Sequence, residues 1–166
     1  DYPLAAGHLH TTATDHCAFC GEQKAMGKAD FSKIPNGCAG VEDRMAVLWD
    51  AGVTTGRLTP NEFVRVTSTN AAQIFNLYPR KGAIAVGSDA DLVVWDEREV
   101  VLRNAALHHA VDYTPYEGMT LSAWPALTLA GGEVVWDGTD FHPRSGRGRF
   151  LRCGPPTLRP LRKEPQ

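Results

Sequence analysis

The apolar residues of this chain change their period at Arg80-Lys81-Gly82, and that change limits what the chain can fold into. Before it, Val41, Met45, Leu48, Trp49 and Gly52 recur at helical spacing, which predicts an amphipathic helix over 41–53. Thr59-Pro60-Asn61-Glu62 reads as an N-cap, a proline at the first helical position and a glutamate three residues after the cap. A helix is expected from Pro60 to about Thr67, and a second from Asn70 to about Leu77, before the breaker Pro79. After the break the apolar residues come in short runs between Gly and Asp: AIAVG, DADLVVWD, VVL and LSAWPALTLAGGEVVWDG. These are strand signals, and Leu127–Ala130, Gly131-Gly132 and Glu133–Trp136 spell a hairpin with a two-residue turn. The chain therefore reads as α/β in three parts: 1–80 mainly helical, 81–140 strands, and 141–166 an extended tail rich in Pro, Gly and basic residues. That tail is expected to lie loosely or to clasp another subunit.

The composition, 43% hydrophobic and 22% charged over 166 residues, is that of a folded soluble chain. A net charge of -2, from 17 basic and 19 acidic residues, leaves no electrostatic footprint for nucleic acid or an anionic membrane, so a small-molecule or protein partner is expected. No apolar run approaches the roughly 18 residues of a membrane span. DYPLAAGHLH has neither the basic nor the apolar region of an export signal. With four cysteines and no such signal, reduced thiols in a cytoplasmic setting are expected over a disulfide frame. The chain opens on Asp1-Tyr2-Pro3 without Met and reads as a cut piece of a longer protein.

Dense chemistry sits near the start. Leu9–Thr14, rich in β-branched residues, predicts a short strand that delivers Asp15 at its end. Residues 17–40 are polar, aperiodic and Gly-bearing, the signature of a functional loop or lid. Cys17-x-x-Cys20 beside His16 could hold zinc or act as a redox pair, but no second pair lies at finger spacing, so silent thiols are the better reading. His8-Leu9-His10 reads as a polar strand edge. His16 is expected to support Asp15. Glu42-Asp43-Arg44 reads as a solvated helix start, Asp89 and Asp91 as turn residues, and Trp49, Trp95, Trp124 and Trp136 as core or interface filler.

Several motifs follow one another in a fixed order: Asp15-His16-Cys17; Phe31-Ser32-Lys33-Ile34-Pro35-Asn36-Gly37; Gly40-Val41-Glu42-Asp43-Arg44-Met45; Gly56-Arg57-Leu58-Thr59; and Lys81-Gly82-Ala83-Ile84-Ala85-Val86-Gly87-Ser88-Asp89-Ala90-Asp91-Leu92-Val93. His108-His109, Val111-Asp112-Tyr113 and Tyr116-Glu117-Gly118-Met119 continue the series. In this order, from about Leu9 to about Leu151, the chain resembles dihydropyrimidinases and D-hydantoinases, cyclic-amide hydrolases of the metal-dependent amidohydrolase type. The resemblance implies a (β/α)8 barrel with a small β-sandwich, a binuclear centre of two divalent metal ions, usually zinc, a small cyclic amide or imide substrate, and a homotetramer. It implies that Asp15 ends the last barrel strand, ligates metal and acts as general base, and that Asn36 holds the imide edge of the substrate. Ala18 and Cys38-Ala39 depart from the pattern, which changes the loop over the site.

The chemistry is coherent. An amide carbonyl is a poor electrophile and water a poor nucleophile, and divalent metal ions address both. A carboxylate can bind metal with one oxygen and accept the proton of water with the other. Asn36 and its backbone offer a donor and an acceptor to an imide edge. The histidines and bridging lysine implied by the resemblance have no counterpart here, and a (β/α)8 barrel takes about 250 residues. The chain is thus expected to be the C-terminal third of such an enzyme, with the last barrel strand, its helices and sandwich strands, and to be inactive alone. Two other classes compete: a metal-free scaffold of the collapsin-response type, which the carboxylate of Asp15 opposes, and a free-standing β-rich interaction module, which the helices between 41 and 77 oppose.

Overall fold

A computed structural model describes residues 2–155 of the chain. The stretch read as a loop over 17–40 carries two short helical turns, α1 (Gly21–Ala25) and a 3-10 turn at Phe31–Lys33. The helix expected over 41–53 is α2 (Arg44–Leu48), which widens into a π-helical turn at Trp49–Thr54. Gly52 lies in that turn, where a Cβ would stand 2.8 Å from Cδ1 of Leu58. The capping box forms as read. Thr59 Oγ1 accepts from the Glu62 N–H at 3.2 Å and Glu62 Oε2 accepts from the Thr59 N–H at 2.9 Å, starting α3 (Pro60–Val64).

Two sequence expectations are corrected in this half. The helices expected over 60–67 and 70–77 are one run, α3 passing through a π-helical Arg65–Thr69 into α4 (Asn70–Ile74). Asn70 does not open a new helix: it is buried and its amide donates to the His10 carbonyl at 2.7 Å. The strand expected over Leu9–Thr14 does not form. A strand needs a neighbour to pair with, and among the described residues this segment meets helix instead. Its Thr12 N–H donates to the Val66 carbonyl at 3.1 Å and its Thr12 carbonyl accepts from Arg44 Nη1 at 2.6 Å.

Beyond residue 81 the chain is antiparallel sheet. Strands β1 (Leu92–Asp96), β2 (Val100–Val101), β3 (Thr120–Leu121), β4 (Trp124–Ala130) and β5 (Glu133–Trp136) form two sheets, ordered β1-β4-β5 and β2-β3. Leu92 pairs with Leu129 and Ala130 with Glu133. The hairpin turn is the one read from sequence, with Gly131 at φ 60° and Gly132 at φ 83°, values that only glycine adopts freely. The AIAVG run forms no strand, and Ile84 and Val86 stand exposed. The first part of the tail lies along the hairpin, where Arg144 pairs with Glu133 at 2.9 Å and Arg147 donates to the Ala130 carbonyl, and its described end meets the helical half, where the Asn76 amide donates to the Pro155 carbonyl at 2.7 Å. The rest of the expected tail, 156–166, lies outside the described residues.

An aromatic cluster and a group of ion pairs are among the contacts at the junction of the halves. Trp49 stacks on Trp95 of β1, ring centroids 5.2 Å apart, and Phe63 of α3 meets Trp49 and Trp95 edge-on at 5.1 and 5.8 Å. Below them Lys81 pairs with Asp89 at 3.0 Å and with Asp91, while Asp89 also accepts from Arg80 Nε at 3.1 Å. Asp91 further caps the Gly131 N–H at 2.7 Å. Asp89 and Asp91 thus tie Arg80, Lys81 and the hairpin turn together.

The hydrogen bond to Asp91 raises Lys81 above its ordinary 10.5, against the opposing effect of burial. The hydrogen bond from Lys81 holds both aspartates below their ordinary 3.8. The stability from the lowered carboxylates is complete above 3.8 and fades as pH falls through their lowered values. That from Lys81 is complete below 10.5 and fades as pH rises toward its raised value. Lys81→Met should return both aspartates toward the ordinary range, which carboxyl-carbon NMR titration will read. Phe63, 2% exposed, should cost about 3–5 kcal/mol when cut to alanine, read as a fall in denaturation midpoint.

Candidate active site

Asp15 stands at a forced turn. Its φ is +49°, in the left-handed region that Asp tolerates better than most residues. Thr14 Oγ1 accepts from the His16 N–H at 3.1 Å and closes the bend. Four further bonds hold the segment: Asn70 to the His10 carbonyl, Thr12 N–H to Val66, Arg44 to the Thr12 carbonyl, and the Cys17 N–H to the Cys38 carbonyl at 3.2 Å. The carboxylate itself is exposed and, among the described residues, makes no hydrogen bond or ion pair. The acid is thus held bare on a backbone conformation that few residues other than glycine adopt.

The Cys17–Cys38 bond brings the Ile34-Pro35-Asn36-Gly37 segment against Asp15-His16-Cys17. Gly37, at φ +115°, fits so tightly that a Cβ there would stand 2.5 Å from both Cβ and the carbonyl oxygen of Cys17. Asn36 is exposed beside it. Among the described residues its backbone N–H and carbonyl have no partner, so they remain open to a ligand. The two residues singled out from sequence, Asp15 and Asn36, are therefore carried by adjoining segments.

The support that His16 was expected to give Asp15 is not what its Nδ1 does: it accepts the N–H groups of Gly40 and Val41 at 3.1 and 3.2 Å, tying the far end of the same loop. Glu42-Asp43-Arg44 is not a solvated helix start either. Glu42 accepts from the His108 N–H and meets its Nδ1, each at 2.7 Å; Asp43, 1% exposed, accepts from Thr114 Oγ1 at 2.9 Å; and Arg44 holds Thr12. The three side chains leave the helix start in three directions, which spacing along one segment does not disclose. Lys24 was not singled out from sequence, since a single lysine in GEQKA carries no signal. Its Nζ donates to the carbonyls of Pro35 and Gly37, both at 2.5 Å. The segment bearing Asp112 and Tyr113 closes the other side: Asp112 Oδ1 accepts the Gly21 N–H at 2.8 Å, and burial, then the hydrogen-bonded Cys38, raises the Tyr113 hydroxyl above its ordinary 10.0.

All four cysteines are free thiols, and His8 and His10 lie exposed on a segment that forms no strand, so they are not the strand edge expected from sequence. Among the described residues no three His, Cys, Asp or Glu side chains gather into a metal-binding group. Asp15, hard, anionic and unpartnered, fits a divalent cation as one ligand of a larger set. No helix of the described residues is long and apolar enough to cross a membrane.

With the site built, comparison gives its class. The amidohydrolase family model matches residues 4–135, and the chain belongs to that family. It is 52% identical over 153 residues to dihydropyrimidinase 2 of Caenorhabditis briggsae and 52% identical over 149 residues to dihydropyrimidinase of Rattus norvegicus, covering 92% and 89% of this chain. It spans only 30% and 29% of those relatives. The crystal structure of dihydropyrimidinase from Brevibacillus agri NCHU1002 superposes with a TM-score of 0.90 at 40% identity, covering 96% of this chain and 35% of that one. Dihydropyrimidinase-related protein 5 of Homo sapiens is 46% identical over 158 residues, 93% of this chain and 28% of that protein. The fold is of the amidohydrolase type, mixing helix and sheet as in the hydantoinase structures.

Gly37→Ala meets both strain and collision, at an expected cost of about 2 kcal/mol or more. The Cys17 amide should then exchange with solvent faster, by at least about tenfold, in hydrogen-exchange mass spectrometry or NMR.

Proposed function

We propose that this chain supplies the C-terminal third of a metal-dependent hydrolase that opens cyclic amide or imide rings of the dihydropyrimidine or hydantoin type. One observation carries the reading: the bare carboxylate of Asp15 and, on the segment joined to its own at Cys17 and Cys38, the N–H and carbonyl of Asn36, which have no partner among the described residues. The names of the relatives, dihydropyrimidinase and D-hydantoinase, support it. In this reading 1–80 holds the segment that would pair as the last barrel strand only in the complete protein, together with its helices, 81–140 holds part of a β-sandwich, the metal is a zinc pair, and the assembly is a cytoplasmic homotetramer.

Divalent metal ions bound at such a centre supply Lewis acidity toward water and the ring carbonyl. Asp15 would hold one of them through one carboxylate oxygen. Its other oxygen takes the proton of the attacking water and returns it to the ring nitrogen as the C–N bond breaks, so the acid ends as it began. The N–H and carbonyl of Asn36 meet the acceptor and donor of the imide edge and set which carbonyl faces the attack. The strained turn fixes the carboxylate before substrate arrives.

A metal-free scaffold is the competing reading, and the match to dihydropyrimidinase-related protein 5 favours it. The exposed Asp15 opposes it, since a scaffold has no use for an acid held in a left-handed turn. In the complete protein, Asp15→Ala should cut ring opening of dihydrouracil or hydantoin by at least about a hundredfold while the melting temperature holds. Turnover that survives the change removes Asp15 from the chemistry, and a wild-type protein without metal or turnover supports the scaffold.

A further inference from the structure

Asn36 sits in a loop of the kind that costs affinity when a ligand must order it, unless the backbone is fixed beforehand. Here it is fixed from one side by a single cation. Lys24 Nζ donates to the carbonyl before Asn36, that of Pro35, and to the carbonyl after it, that of Gly37, each at 2.5 Å. Bonds from an ammonium to carbonyl oxygens are of the stronger, charge-assisted kind. With those two oxygens turned toward Lys24, the N–H and carbonyl of Asn36 itself are the groups left open.

The support behind Lys24 is also built. It lies in the last turn of α1, a five-residue helix too short to stand alone. That helix is closed at its start by Gln23, whose Oε1 accepts the Cys20 N–H at 2.8 Å, and by Asp112, which accepts the Gly21 N–H. The Phe19 ring lies 5.3 Å from Nζ and steadies the charge from another direction. Just past α1, Gly27 is pressed onto the IPNG segment so closely that a Cβ would stand 2.9 Å from Cα of Ile34. Among the described residues, none of these supporting groups makes a hydrogen bond or ion pair with Asp15.

We infer that Lys24 is a positioning residue for substrate binding: its ammonium clamps the carbonyls flanking Asn36 and so holds the N–H and carbonyl of Asn36 ready for the ring edge. This rests on the role proposed above for Asn36. Lys24 does not act on the reacting atoms, so its loss should appear in KM and not in kcat. A guanidinium carries several donors and can meet two carbonyls, so arginine should restore part of what methionine loses.

The test uses the complete protein with Lys24→Met, Lys24→Arg and, as a separate arm, Asp15→Ala. Lys24→Met should raise KM for dihydrouracil or hydantoin by about tenfold or more, as expected for about 1.4 kcal/mol of lost binding, with kcat within a few-fold. Amide exchange at residues 36–38 should quicken in Lys24→Met, with metal content unchanged, and Lys24→Arg should bring both KM and exchange part of the way back. A fall in kcat at constant KM, unchanged exchange in Lys24→Met, or arginine behaving like methionine overturns the assignment. Exchange is read without turnover, so the clamp can stand or fall by itself: surviving turnover in Asp15→Ala would strike the proposed chemistry and leave the exchange result in force.

Discussion

The seam between Cys17 and Cys38 is the contact on which the rest of the site depends. One backbone hydrogen bond of 3.2 Å and one glycine pressed onto a neighbouring backbone join two segments about twenty positions apart in the chain. Neither segment has regular structure to stiffen it. Their order comes from side chains that reach backbone groups: Arg44 and Asn70 onto the Asp15 segment, Lys24 and His16 onto the Asn36 segment. This is a way to build a precise site on irregular chain, because each bond satisfies a main-chain group that a ladder would otherwise have taken.

The start of α2 is the hub that makes those bonds possible. Glu42, Asp43 and Arg44 reach His108, Thr114 and Thr12, so one helix start links the segment before the site to the segment after it. Asp43 is the buried member, and its Oδ1 has no partner among the described residues. A buried carboxylate with one oxygen unsatisfied is stable only where the surrounding packing fixes it, and here Ala46, Leu102 and Leu121 form the nearby cluster that joins α2 to β3. The sheet half thus serves the site indirectly, by seating the 104–118 segment from which Thr114, Asp112 and Tyr113 come.

Local chemistry was legible in the sequence wherever it needed no neighbour. The capping box at Thr59 and the hairpin at Gly131-Gly132 were read correctly, because a cap or a tight turn is settled by residues three or four apart. The order of motifs also pointed to Asp15 and Asn36, and the structure carries them on adjoining segments. The strand expected over Leu9–Thr14 and the break expected at Asn70 were misread for one shared reason: the His10 carbonyl and the Asn70 amide satisfy each other. That bond spans sixty positions and leaves no local trace.

By itself, then, the sequence determined the caps, the turns, the division at Arg80-Lys81-Gly82 and the membership of a family, since each depends on residue types at short or ordered spacing. Only the tertiary structure decided what Lys24, His16, Glu42, Asp43 and Arg44 do. Those are polar side chains whose partners lie far along the chain, backbone groups for the most part, with the Thr114 hydroxyl for Asp43 and the His108 ring for Glu42, and no short-range pattern of letters discloses such a pairing.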